Sequence, residues 1–439
     1  MPAVLPFAGL RFAAPDAEFQ HLVCPPYDVI SPAEQAQLLQ ASPHNAVRLE
    51  LPRDEPDQPG SRYQAAARSL TSWRNDGVLR ADRRAGYYLA ETTFTLNQGG
   101  TQLRRRDVLA EVAVEPWSGR VVLPHEHTMA APKADRLELL AATHLNSSPI
   151  WLLIREQPAA LERAWTAADA RSPDVEFTWR GEEHRLWLVD DPDLVATLRT
   201  AFATSEPLYI ADGHHRYETS LAFKQDLGRR LPGAGGTLAA ITWADDPGLL
   251  ALPTHRLLSG IDPSLTMEEA ETRWSEVFHV EYYPVWEDAP PEQIDAFMQQ
   301  LASSGRAGPS FGIFGLGQPD LFGILELRGR KPPANALPAE RSEAWKSLDV
   351  SLLHTLLIDP LIADTGRARD EVLRYIRSPQ EAVAQVRDGE ADVAFFLNPT
   401  PVSGVLAVAD VGDLMPEKST YFFPKPPAGV VMRDLDASA

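Results

Sequence analysis

A chain of 439 residues with one cysteine, Cys24, cannot form a disulfide within itself. Disulfides persist in oxidising compartments, so a reducing, cytoplasmic setting is the expectation. Basic residues are also in short supply: 41 lysines and arginines stand against 61 aspartates and glutamates, a formal charge of −20. Wrapping a nucleic-acid backbone needs a net positive face that releases counterions, so no nucleic-acid partner is expected. A local positive pocket for a small anion stays open, because its field is set by the side chains around it. No stretch reaches the roughly 18–20 apolar residues that span a bilayer. The opening "MPAVLPFAGLRFAAPDAEFQHL" lacks the basic start and long apolar run of a signal peptide. A soluble protein with no membrane partner is therefore expected. The sequence also has no Walker A, no G-x-G-x-x-G after a strand and no H-E-x-x-H. P-loop and Rossmann readings lose their support with them.

What is present reads as a mixed α/β protein of two or three domains. Two prolines in "VCPPYDVIS" forbid a helix and hold Tyr27 and Asp28 extended or in a turn. Ser31-Pro32 reads as cap and first position of a helix, and residues 61–76 carry helical periodicity. Residues 86–116 read as a hairpin around "NQGG" at 97–100. Strands and helices then mix without a regular βαβ alternation up to about residue 260. Residues 261–330 read as a small α+β module. A proline-rich connector follows, and residues 331–439 are expected to pack back on the core as a C-terminal segment.

Four stretches carry candidate chemistry. In "EPLYIADGHHRYETSLAF", 206–223, a buried strand ends, Gly213 relaxes a turn, and a helix begins near His214 or His215. Free N–H groups and the positive end of the helix dipole gather there beside Arg216, which offers planar paired donors. That is the make-up of a phosphate site. Asp212 is placed to act as a general base or to hold a divalent cation, and a capped polar turn is the competing reading.

In "RVVLPHEHTMAAPKADR", 120–136, His125 and His127 alternate with Glu126. His-x-His suits a metal only with further ligands from elsewhere, and solvated loop histidines are the competing reading. With Lys133 and Arg136, the segment suits an anionic substrate. Cys24 reads as a buried small residue, while Tyr27 and Asp28 are placed to line a pocket. "PEKSTYFFPKP", 416–426, offers Lys418, Ser419 and Thr420 in a stiff loop, either a substrate lid or a solvated surface loop.

Taken in order, "CPPYDVIS", "RVVLPHEHT", "YIADGHHRYETSLAF", "LPTHRLL", "SLDVSLLH" and "MPEKSTYFFPKP" resemble the family catalogued as DUF1015. The strand–"DGHHR"–helix element is similar to the phosphate-binding turn of the ParB/sulfiredoxin superfamily, whose free serine kinases carry a closely similar turn. The resemblance implies a ParB/sulfiredoxin-like core with hairpin insertions and phosphoryl transfer between a nucleotide or water and serine or O-phosphoserine. It ties the family to serine biosynthesis. It implies phosphate or nucleotide binding by Gly213, His214, His215 and Arg216, with Asp212, Glu126, His125 and His214 as the catalytic set. Tyr27, Asp28, His127, Lys133, Arg136, Lys418, Ser419 and Thr420 would bind the substrate. Mg²⁺ with ATP or ADP would be the cofactors of a kinase. Two alternatives stand beside it: a nucleotide-binding switch without catalysis, and a metal-dependent hydrolase using His125, His127, His214 and His215.

Overall fold

The structure, a computed structural model, describes residues 2–96, 100–128, 130–228, 230–262, 264–286, 289–329, 331–333 and 335–437. They form two units, Met1–Leu250 with Phe422–Ala439, and Ala251–Tyr421. Among the described residues no helix is long and apolar enough to cross a membrane.

In the first unit nine strands make one mixed sheet. They are β1 (Val4–Leu5), β2 (Tyr87–Thr95), β3 (Gln102–Ala113), β4 (Val122–Leu123), β5 (Ile150–Ile154), β6 (Val175–Trp179), β7 (Glu182–Val189), β8 (Leu208–Asp212) and β9 (Gly236–Trp243). Their order is β4-β8-β5-β9-β3-β2-β7-β6, with β1 beside β3. Parallel pairs β4/β8 and β5/β9 sit among antiparallel neighbours. β5 and β9 are buried along their whole length, which is why they read as unbroken apolar runs. The expected hairpin is β2–β3, pairing Tyr88 with Leu109 and Thr95 with Gln102; residues 97–99 of its turn lie outside the described residues.

Helices α1 (Asp16–Leu22), α2 (Pro32–Ala41), α3 (Arg62–Asn75), α4 (Ala130–Thr143), α5 (Ala159–Asp169), α6 (Pro192–Ala203) and α7 (His214–Leu227) complete the elements used below. The Ser31 side chain accepts from the Glu34 N–H, so the Ser-Pro start caps α2 as expected. Two of the elements hidden in the sequence are α1 and β6. α1 starts after Pro15, carries Asp16 and Glu18 in its first turn, and buries Phe19 and Leu22 three positions apart. β6 pairs with β7 through Arg180-Gly181, both at positive φ, a hairpin turn usually signalled by Asn-Gly.

The second unit holds an antiparallel sheet of six strands: β10 (His255–Leu258), β11 (Phe278–Pro284), β12 (Ser310–Gly315), β13 (Gln318–Leu327), β14 (Leu373–Ile376) and β15 (Val393–Phe396). The order is β11-β13-β12-β15-β10-β14. Here the structure differs from the expected division of the chain. The sheet of the 261–330 module runs on through β14 and β15, because the free edge of β12 takes β15 as its partner. β10 joins the same sheet, and residues 422–439 alone return to the first unit. Helices α8 (Met267–Trp274), α9 (Pro291–Gly305) and α10 (Pro379–Arg387) belong to this unit, α8 opening on a Thr266–Glu269 capping box. In its core Phe297 stacks on Phe322 at 4.3 Å and meets Phe396 edge-on. Gly312 is what lets them close: a Cβ there would lie 2.8 Å from Phe297 and 2.9 Å from Phe396.

Two buried histidines give this unit a pH signature. Burial, and then Arg256, pushes His255 down to about 3. Burial also pushes His354 down to about 4. Between pH 6.5 and those values the unfolded chain takes up protons that the folded one refuses, so stability falls as the pH drops through that window. Asp349, pushed up to about 6 by burial, works the other way below pH 6. The balance is a loss of roughly 2 kcal/mol between pH 7 and pH 5. Hydrogen–deuterium exchange of the full chain, corrected for intrinsic rates, should show peptides over 255–258 and 354–358 less protected at pH 5. Equal protection at both values would contradict this.

Candidate active site

Strand β8 ends at Asp212, and the chain passes through Gly213 into the 14-residue helix α7. Gly213 sits at φ 93°, a left-handed conformation that L side chains rarely adopt. A Cβ there would also lie 3.1 Å from Arg216 Nε and Nη2 and from Ile150 Cγ2. The turn therefore keeps both the backbone N–H groups of the helix start and the Arg216 guanidinium close to one point.

Arg216 Nη2 donates to Asp212 Oδ2 at 2.7 Å, and Nη1 donates to Ser148 Oγ at 2.9 Å and to the Pro149 carbonyl at 2.6 Å. The other Asp212 oxygen accepts from Lys425 Nζ at 2.6 Å, and the same ammonium donates to Asp28 Oδ2 at 2.6 Å. Lys425 is 8% exposed, Asp212 19% and Asp28 36%, so Asp28 forms the open rim. Burial alone would raise the Asp212 carboxyl; Lys425 and then Arg216 outweigh it and hold it well below the ordinary carboxylate range. Burial likewise works against the Lys425 ammonium, but Asp212 and Asp28 overcome it and raise its pKa.

Beneath the turn lies Glu50, buried, whose carboxylate accepts from the Tyr27 N–H at 3.1 Å, Ser147 Oγ at 2.5 Å and Ser148 Oγ at 2.9 Å. Ser148 thus links Glu50 to Arg216. Arg136 Nη1 donates to the Glu50 carbonyl at 2.5 Å, and its guanidinium lies over the Tyr27 ring at 4.3 Å. A cavity of about 50 Å³ opens among Glu50, Arg136, Ser147, Ser148, Arg216 and Thr219.

The "HEHT" stretch after β4 meets the start of α7. The His125 N–H donates to His214 Nε2 at 3.3 Å, and the two rings stand edge to face at 4.7 Å. A ring whose Nε2 accepts carries its proton on Nδ1, which fixes the His214 tautomer. Burial pushes His125 down, keeping it neutral. Glu126 is half-buried and His127 exposed. Thr128 Oγ1 and Lys133 Nζ converge on Glu218 Oε2 at 2.6 and 2.7 Å, and Trp117 donates to Glu218 Oε1 at 3.1 Å. Glu218, one turn beyond His214 on α7, thus anchors both ends of the loop.

The first unit accordingly brings together Tyr27, Asp28, Arg136, Asp212, Gly213, Arg216 and the His125–His214 pair. Lys418, Ser419 and Thr420 belong to the second unit, where the Lys418 carbonyl accepts from Arg256 at 3.2 Å and the Ser419 hydroxyl donates to the Pro416 carbonyl. Of the four histidines of the metal-hydrolase alternative, His125 and His214 meet while His127 is exposed. Among the described residues no group of three or more His, Cys, Asp or Glu side chains is placed to hold a metal. Cys24 is fully buried, and burial raises its thiol pKa well above the ordinary value, which suits a packing residue. Glu50, Ser148 and Glu218 carry no mark in the sequence, and Lys425 counts there only as one of the two lysines of its loop. Lys425 lies within the stiff "PEKSTYFFPKP" loop, whereas nothing in the pattern around Glu50 or Ser148 marks either one.

A family model described as "Protein of unknown function (DUF1015)" matches residues 4–351. No curated protein matches the sequence. Among solved structures, a conserved hypothetical protein from Pyrococcus furiosus is similar over 73% of this chain and 93% of its own, at 15% identity and a TM-score of 0.34. A free serine kinase in complex with AMP is similar over 75% of this chain and 91% of its own, at 15% identity and a TM-score of 0.35. A variant free serine kinase in complex with ADP covers the same shares at 13% identity and a TM-score of 0.37.

Proposed function

The chain belongs to the DUF1015 family, and from that premise we propose that it is a phosphoryl-transfer enzyme for a small hydroxy amino acid. It interconverts serine and O-phosphoserine, with a nucleotide or water as the other partner. The observation that carries this reading is the buried cluster at the start of α7, where Arg216 and Lys425 flank Asp212 beside the Gly213 turn. In this reading β8, Gly213 and α7 form a ParB/sulfiredoxin-like phosphate turn, and the N–H groups of residues 213–216 with the Arg216 guanidinium bind nucleotide phosphates.

The roles of the carboxylates follow from their surroundings. Asp212, held so far into its ionised form, is a poor proton acceptor at neutral pH. It aims the Arg216 guanidinium. Glu126, half-buried beside the His125–His214 contact, takes the proton of the serine hydroxyl. The serine oxygen then bonds to the terminal phosphorus, the bond from phosphorus to the leaving phosphate oxygen breaks, and the nucleotide keeps that electron pair. Positioning and charge stabilisation supply most of the rate in such a transfer, which suits a site without a strong nucleophile. Tyr27 and Arg136 face the amino acid. Mg²⁺ needs few protein ligands because it keeps waters and phosphate oxygens, and the cluster meets that demand. When bound it would neutralise charge on the phosphates, and Asp28 at the open rim would hold it.

Phosphorus NMR tests the reading. The full chain is incubated with serine and ATP, serine and ADP, phosphoserine and ADP, and phosphoserine alone. One arm should lose its starting resonance as the product resonance grows. No change in any arm would overturn the assignment.

A further inference from the structure

Lys425 reaches the site from 213 residues beyond Asp212 and 397 beyond Asp28. Its segment is held firmly. Pro424, Pro426 and Pro427 restrict the backbone, and the buried Arg105 guanidinium donates to the Pro424 carbonyl. Phe422 packs edge-on against Trp151 at 5.9 Å and His125 at 6.2 Å. Such an arrangement delivers one ammonium to one point.

The charges at that point nearly cancel, with Asp28 and Asp212 against Arg216 and Lys425. A phosphate entering this set gains net attraction only if a carboxylate gives way. Asp212 is gripped by both cations, at 2.7 and 2.6 Å, whereas Asp28 meets Lys425 at 2.6 Å from the exposed side. Asp28 is also the more exposed, on the short turn Tyr27–Val29. Of the two, Asp28 is the weaker holder.

We propose that Lys425 is a phosphate-binding residue whose ammonium exchanges Asp28 for a phosphate oxygen while keeping Asp212. Arg216 and Lys425 then grip the anion from the two sides of the Asp212 carboxylate, and Asp28 acts as the resting-state stand-in for the phosphate. The ligand class is a phosphate-bearing anion, and the inference rests on the phosphoryl-transfer reading above.

Calorimetric titration of the full chain with ADP, in EDTA at pH 7, tests it with wild type, R216A, K425M, K425R and D28N. Loss of the charge-assisted contact should weaken ADP binding by K425M at least about tenfold, with K425R closer to wild type. D28N, which frees Lys425 from its competitor, should bind at least about threefold tighter, a gain of roughly 0.6 kcal/mol. Wild-type binding lost in R216A but unchanged in K425M would overturn this inference and leave the phosphate site standing. Failure of wild type to bind would overturn both. If K425M does not fold by circular dichroism, D28N decides: tighter binding supports the exchange, and unchanged or weaker binding overturns it.

Discussion

Arg216→Ala is expected to lower affinity for ADP by about a hundredfold or more while the chain remains folded. The guanidinium is the one planar donor pair at the start of α7, and a paired charge-assisted contact with phosphate is worth roughly 2–4 kcal/mol in a partly buried site. Its removal costs the Pro149 carbonyl one donor but leaves both side chains it touches partnered. Asp212 keeps Lys425 at 2.6 Å, and the Ser148 hydroxyl keeps Glu50 at 2.9 Å. The fold therefore survives a change that removes the ligand. Calorimetry with ADP reads the affinity, and circular dichroism with thermal melting reads the fold. An affinity within threefold of wild type, in a folded variant, would remove the phosphate site from this turn.

Arg105→Leu is expected to cost about 3–5 kcal/mol of stability, the largest single loss outside the site. Arg105 and Asp107 are both almost wholly buried and paired at 2.8 Å. The guanidinium also lies over the Trp151 ring at 4.5 Å, and Asp107 accepts from the Thr242 hydroxyl, which accepts from Trp151 Nε1 at 2.7 Å. Leucine leaves a buried carboxylate without its cation, and that uncompensated charge is the source of the loss. Removing both charges should restore much of it, because buried pairs contribute little beyond an apolar pair of similar volume. Urea unfolding of R105L and of R105L/D107L checks this. A single variant as stable as wild type would contradict the argument, as would a double variant no better than the single. R105L should also loosen the Pro424 segment and weaken ADP binding.

Sequence patterns foretold what local chemistry dictates. The Ser31-Pro32 start, the β2–β3 hairpin and the strand–Gly213–helix element each depend on residues within a few positions of one another. β6 escaped because Arg180-Gly181 is an unusual pair for a hairpin turn, and α1 escaped because seven residues show barely two turns of periodicity. The partners of the site were harder still. Asp212 and Arg216 are four apart and legible together, but Lys425 and Glu50 meet them only through the tertiary fold. A lysine between prolines looks the same whether it points to solvent or to two carboxylates. The domain boundary was missed for a similar reason: "LPTHRLL" reads as one more strand of the preceding sheet, and its partners β14 and β15 lie more than a hundred residues downstream.

That separation has a consequence for synthesis. The whole of the second unit, 251–421, is translated between Asp212 and Lys425. At ordinary elongation rates the 213 residues between them take roughly 10–40 s. Throughout that interval a nascent chain holds Asp212 and Arg216 but not the ammonium that completes the cluster. The site thus closes only after the inserted unit has left the ribosome, and ligand binding by a stalled nascent chain would report how far translation has gone.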